Sequence, residues 1–481
     1  MYLMKWFSRA ILMLMVIAGT LLLAFGPRPH HQIPANRVVV SYWEKWSGQD
    51  AEPMRRVVDL FNNTVGKEKG IYVEYLSMAN VHYKTLAATA AGVPPDVAGL
   101  WPDQVVQYSL RDAAMPLDEL AREHHISPGD YKRVFWDMCN YNGHLYALPT
   151  TPAVIGLHYN KKFFYDSADA LYAQGLDPTR PPRSIAEFDR YAAALDKKIP
   201  GTHRLARAGF FTMDSGWYIT VQQIWFSGAT WDVKQQRYNL LTPQNIAAFD
   251  WIASYSRRMG KEGFSDFQSG LGSYSSPTNP FLSGAVAMCQ QGQWMGNLIA
   301  RYMPDMSEVI VPFELEPFLP RVLRPFNYAW GVQAFPSNVP GMKDVSYCST
   351  DVLVIPRGSK HPLEAFEFMA FTQRQDQMES LCSSSGKNSP LKHVSSDYVY
   401  SNPNPYINVF DRLADSPNAT PVEQTPIYAE ASGLIEVAAQ QCYLLQKSPV
   451  QALTEAQQRI DQRMARYQEV RDLRQQRRAS R

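Results

Sequence analysis

"PPDVAGLWPDQVVQY", Pro94 to Tyr108, decides how the chain is read. The two prolines stop whatever precedes them, "DVAGL" is short and apolar after its aspartate, and Trp101-Pro102-Asp103 turns the chain where a buried strand ends. Upstream, "VVVSYW" (Val38 to Trp43) and "IYVEYL" (Ile71 to Leu76) have the same β-branched and aromatic character. Between the first two runs, Met54, Val57, Val58, Phe61 and Val65 fall at helical spacing, with Asp50 placed to cap the start and Gly66 to end the helix left-handed. Before the third, Asn80 is placed to cap a helix with Tyr83, Leu86, Ala87 and Ala90 on one face, ended by Gly92. This β-α-β-α-β order predicts right-handed crossovers and a parallel sheet.

Open sheets of this kind bind ligands beyond the carboxyl ends of their strands. Two loops leave at that edge: "WEKWSG" (Trp43 to Gly48) after the first strand and "WPDQ" (Trp101 to Gln104) after the third. Together they bring Trp43, Trp46, Trp101 and Asp103 towards one rim.

With 481 residues the chain is too long for one ordinary core, which predicts two lobes or domains. Its 45% apolar, 19% charged and 12% aromatic residues are those of a folded globular protein rich in Trp and Tyr. A net charge of +2, with both signs interleaved, gives no field for nucleic acid. Five scattered cysteines without a CxxC are no disulfide framework; buried free thiols are expected, with one bridge left open in an oxidising compartment.

At the N-terminus, Lys5 and Arg9 precede an apolar run from Ala10 to Phe25. This is an export signal or a membrane anchor. Pro27 hinders cleavage after Ala24-Phe25-Gly26, so an uncleaved transmembrane helix with the remainder outside is expected, ordinary cleavage being the alternative.

Further along, "LYALPTTPAVIGLHYNKKFF" (Leu145 to Phe164) has strand-like ends, and Pro149 and Pro152 suggest a crossing between lobes. Ser184 and Glu187 form a capping-box pattern. "GQW" (Gly292 to Trp294) follows a short apolar strand. The Pro- and aromatic-rich stretch 311–345 lacks periodicity and is expected to be an insertion. "STDVLVIPRGSKHPLEAFEFMAFT" reads as strand, turn and helix, and a helix from Val450 to about Gln475 runs into a basic tail expected to be solvated.

No GxSxG, HExxH, Walker or GxGxxG pattern is present, and no metal or cofactor is called for. Gly386-Lys387 lacks the upstream glycine of a phosphate loop, and His124-His125 read as solvated side chains. A glycosidase carboxylate pair stays open, since its members can lie far apart in sequence. The positive signal is Trp beside polar residues: Trp43, Trp46, Trp101 with Asp103, Trp217 with Asp214, and Trp294 beside Gln291 and Gln293. An indole covers the C–H face of a sugar while polar groups bond its hydroxyl rim. Each Trp taken singly also fits core packing. Trp101 and Asp103 are favoured as a site because Pro102 holds both in a turn.

"VVVSYWEKWSG", "PPDVAGLWPDQ", "LPTTPAVIGLHYNKKFF", "FLSGAVAMCQQGQW" and "DVLVIPRGSKHPLEAFEFM", in this order, resemble family 1 extracellular solute-binding proteins of ABC importers, the group that includes the maltose-binding protein. The resemblance implies a type II periplasmic-binding-protein-like fold of two α/β lobes, each a mostly parallel sheet flanked by helices. It implies residues 38–152 plus 349–412 as one lobe and 153–348 plus 413–467 as the other, between the leader 1–37 and the tail 468–481. It places Trp43, Trp46, Trp101, Asp103, Thr150, Thr151, Trp217, Trp294, Asp351 and Tyr428 at the ligand. A carbohydrate captured by hinge closure and passed to permease subunits, by a monomer on the outer face of the membrane, is the implied activity. A secreted glycosidase, or a binder of a polyamine or glycerol phosphate, is the alternative.

Overall fold

In the computed structural model, residues 34–202, 204–213, 218–273, 276–307 and 329–479 are described, with Met13. Apart from Met13, the predicted signal or anchor therefore lies outside them, as do Asp214, Trp217 and residues 311–328. Among the described residues no helix is long and apolar enough to cross a membrane.

Ten strands make one mixed sheet. We number them β1 (Val38–Glu44), β2 (Ile71–Ser77), β3 (Val97–Leu100), β4 (Leu148–Asn160), β5 (Lys197–Lys198), β6 (Leu205–Phe210), β7 (Val286–Gly292), β8 (Trp330–Gln333), β9 (Ser346–Val354) and β10 (Ala419–Pro421). The order is β2-β1-β3-β9-β4-β7-β6-β5, with β8 on β4 and β10 on β9. β1 pairs parallel with both β2 and β3, as the sequence predicts. The second half departs from a mostly parallel sheet: β7 pairs parallel with β6 but antiparallel with β4, and β8 is antiparallel to β4.

Two apolar cores flank this sheet. One gathers Val40, Val58, Phe61, Val97, Leu100, Val352 and Phe368; the other gathers Val154, Phe188, Phe210, Trp225, Trp251, Met288, Trp330 and Leu453. The helix Ile407–Asp415, which straddles the expected boundary at 412, packs Val409, Phe410 and Leu413 into the second core, which Phe135 and Met138, expected in the first lobe, also join. Trp225, Trp231, Trp251 and Trp330 are core residues.

β4 and β9 carry the chain between the two cores. Val352 and Leu353 pair with Pro149 and Leu148 beside the first core, and Cys348 pairs with Val154 beside the second. Between them the register shifts at Thr350/Val352, so that Thr150 and Thr151 oppose the single residue Asp351. The two prolines expected to mark a crossing thus bracket a bulge inside one continuous strand of 13 residues. Neither proline can donate to the ladder, which favours the irregularity there.

Several local expectations shift. Gly66 lies inside the short helix Val65–Lys69, where a Cβ would meet the Phe61 carbonyl at 2.8 Å; Gly70, with φ 70°, takes the left-handed cap. Asp50 sits in a 3-10 turn ahead of the helix Glu52–Asn63. In the helix Val81–Ala90 it is Val81 and Thr85 that are buried, Tyr83 being exposed. Ser184 does accept the Glu187 N–H, but the Glu187 carboxylate turns to Arg180 and the Arg183 N–H instead of completing a box. Within 311–345, β8 is a strand of the main sheet, so that part is not an insertion. All five cysteines are free and buried.

Candidate functional site

The site grows from the carboxyl end of β1, which runs one residue past the expected loop start and ends on Glu44. A Cβ on Gly99, in the neighbouring β3, would lie 2.0 Å from Glu44 Oε2, so glycine makes the room for this buried carboxylate. The Tyr42 hydroxyl donates to it at 2.5 Å and the Lys45 N–H at 2.6 Å. The Lys45 ammonium then reaches Glu44 at 3.3 Å, Asp351 at 3.1 Å and the Leu100 carbonyl at 3.1 Å. Burial pulls Lys45 down, but Asp351 and Glu44 outweigh it and hold its pKa above the ordinary value.

Asp351, at the bulge of the crossing strands, is the hub. It accepts hydrogen bonds from Thr151 Oγ1 at 2.5 Å and from Trp46 Nε1 at 3.2 Å, and pairs with Lys387 at 3.4 Å. Burial would raise its pKa, yet the ammonium groups of Lys45 and Lys387 with the Thr151 hydroxyl hold it down to about 2. Lys387 also donates to Thr151 Oγ1 at 3.1 Å.

These two lysines gather the indoles. Lys45 Nζ stands 5.3 Å from the Trp46 ring centroid and 5.4 Å from that of Trp101; Lys387 Nζ stands 5.6 Å from Trp46 and 5.8 Å from Trp294. Each lies within cation–π range. The loop bearing Trp46 is fixed through its carbonyl, which accepts from Ser77 Oγ at 2.5 Å and Tyr75 Oη at 3.2 Å. A Cβ on Gly292 would sit 2.2 Å from the Trp294 ring, so this glycine lets the indole fold back over the end of β7. Trp46, Trp101 and Trp294 are each only part-buried.

Asp103 opens the helix Asp103–Leu110 directly after Trp101 and Pro102. Burial pushes its carboxyl up to about 6, against the pull of its own backbone N–H and of Lys45. Tyr347 and Tyr428, the latter at the start of the helix Tyr428–Tyr443, are hydrogen-bonded to each other and lie within electrostatic reach of Asp103.

The other expected residues stand differently. Trp43 lies within β1, paired to Leu76 and Ala98, and packs on the first core. Thr150 is buried, its carbonyl taking the Cys382 thiol. Gln293 is fully buried and structural: it donates to the Pro152 carbonyl and Asn388 Oδ1, both at 2.8 Å, and accepts from the Val154 N–H at 2.9 Å. By sequence alone Lys45 is not assigned to the site, and Lys387 is weighed only as part of a phosphate loop that lacks its glycine. Lys45 was legible as a cation between two tryptophans after a strand, but Lys387 carries no local signal. Among the described residues no cluster of three His, Cys, Asp or Glu side chains is placed to hold a metal.

Two lobes on crossing strands, with indoles, hydroxyls and paired charges at the strand ends, define a solute-binding protein. The family model for bacterial extracellular solute-binding proteins matches residues 46–379, and the chain belongs to that family. An uncharacterized ABC transporter extracellular-binding protein of Pyrococcus horikoshii is 23% identical over 364 residues, covering 73% of this chain and 72% of the relative. Among solved structures, the chain is similar to CpMnBP1 with mannotriose bound, at TM-score 0.72 and 25% identity over 88% of this chain and 99% of that one. It is also similar to the sugar-binding protein MalE of Xanthomonas citri, at TM-score 0.69 and 17% identity over 90% and 99%.

Proposed function

We propose that the protein is the capture component of an ABC-type sugar importer, holding a saccharide between its lobes and handing it unchanged to membrane permease subunits. The observation that carries this reading is the convergence of Trp46, Trp101 and Trp294 on the Asp351–Lys45–Lys387–Thr151 network at the carboxyl edge of the sheet. Indoles cover the C–H faces of a pyranose, while charged donors and acceptors bond its hydroxyls more strongly than neutral ones. The relative named for ABC transport and the mannotriose- and sugar-binding neighbours support it.

Closure is proposed to bend β4 and β9 at the Pro149–Pro152 bulge, because a ligand touching both lobes favours the closed form by its differential contacts. The apolar run from Ala10 to Phe25 is proposed as the tether that keeps the monomer at the outer face of the membrane. The test is a calorimetric titration of the purified chain with neutral di- and trisaccharides, polyamines and glycerol 3-phosphate. Micromolar or tighter binding of a saccharide, recovered intact afterwards, is expected. Binding of only a polyamine or glycerol 3-phosphate, or cleavage of the sugar, would overturn the reading.

A further inference from the structure

Along the helix Asp103–Leu110 lies a cavity of about 400 Å³ whose walls come from both lobes. Gln107 and Arg111 line it from the helix Asp103–Leu110 and the residue that follows, Gln107 being one turn beyond Asp103. Ile427 and Glu430 line it from either side of Tyr428. Arg463, Arg466 and Arg471 close it from the helix Pro449–Ala479. That helix is anchored in the second core by Leu453, Ala456 and Ile460, and beyond Ile460 it extends over the gap towards the first lobe.

The charge of this cavity is one-sided. Arg471 pairs with Asp472 at 2.9 Å, whereas Arg111, Arg463 and Arg466 form no ion pair among the described residues. Glu430 is the one carboxylate among the lining residues. Guanidinium groups from opposite lobes line one space from exposed positions, and each presents a planar fork that matches a carboxylate or sulfate. An anion placed between them touches both lobes, so it favours their approach. The volume falls within the range of small-molecule sites.

We propose that the saccharide is acidic: an oligosaccharide whose neutral ring lies on Trp46, Trp101 and Trp294, and whose carboxylate or sulfate ester reaches Arg111, Arg463 and Arg466. This rests on the sugar-binding reading above and names the class of sugar. It also gives the basic C-terminal helix a role that a solvated tail would not have.

Calorimetry on the full chain tests it with three probes of equal length, a neutral trisaccharide, a trisaccharide ending in a uronic acid and its sulfate-ester counterpart, together with inorganic sulfate alone. At least one acidic trisaccharide is expected to bind ten-fold or more tighter than the neutral one, with an affinity that falls as salt rises. The preferred acidic probe identifies the anionic group. R463Q/R466Q is expected to erase that preference while leaving the neutral affinity within two-fold, which also shows that the variant is folded. Equal binding of all three sugars, or binding of the neutral one alone, overturns the acidic assignment and leaves the sugar reading standing. Binding of sulfate alone with no saccharide, or of no probe at all, overturns both.

Discussion

Trp46 Nε1 donates to Asp351 Oδ2 at 3.2 Å across 305 positions of sequence. The bond joins the loop after the first strand to the bulge where the chain passes between its two cores. The proposed ligand contact and the proposed hinge therefore share one carboxylate.

Lys45→Met removes the cation lying between Glu44 and Asp351 and leaves two buried carboxylates short of a partner. Breaking a buried pair from one side costs about 3–5 kcal/mol. Chemical denaturation should show a loss of that order, and Lys387→Met a smaller one, because Asp351 then keeps Lys45. Equal, negligible losses in both would refute the hub.

Acid should act on stability in two opposite ways. Asp351 is held at about 2 against an ordinary 3.8, so its contribution is complete above the ordinary value and drains away as pH falls towards 2. Asp103 is raised to about 6 from 3.8, so the fold disfavours its charged form and stability declines as pH climbs between those values. Urea midpoints should rise from pH 2 to about 4. Asp103→Asn should flatten the decline from about 4 to 6, and an unaltered profile in that variant would argue against a raised carboxyl pKa at 103.

Trp101→Ala should weaken saccharide binding by about 1–3 kcal/mol with the fold intact, the order of burying a large apolar side chain. Trp43→Ala should instead lower the melting temperature, since that indole packs on the first core. Titration and melting of the pair separate the two roles; interchanged outcomes would contradict the assignment.

Gly292→Ala sets a Cβ 2.2 Å from the Trp294 ring and must push the indole off the end of β7. Affinity should fall by about as much as in Trp294→Ala, roughly 1–3 kcal/mol, while Gly433→Ala, where a Cβ meets open space, serves as the neutral control. Undiminished binding in Gly292→Ala would mean that Trp294 lies outside the site.

Gln293→Ala deprives the Val154 N–H, the Pro152 carbonyl and Asn388 of their shared partner. Each buried group left unpaired costs about 1–3 kcal/mol, so the loss should be measurable by denaturation. A silent substitution would show that the crossing strands are held by the ladder alone.

The alternation of short apolar runs with helical spacing, the prolines and the turn at Trp101 determined the first β-α-β-α-β unit, its parallel pairing and the sheet edge at which a ligand is proposed to sit. Those are local signals, set by side-chain period and backbone dihedral preference. Only the tertiary structure decided that Lys45 and Lys387 draw three indoles together around Asp351. It also showed that Trp43 and Gln293 serve the cores and the crossing, and that the basic C-terminal helix lines a cavity together with the helix Asp103–Leu110. Such partners lie tens to hundreds of residues apart, and burial, with the demand that each buried charge be paired, fixes their roles only once the chain is folded.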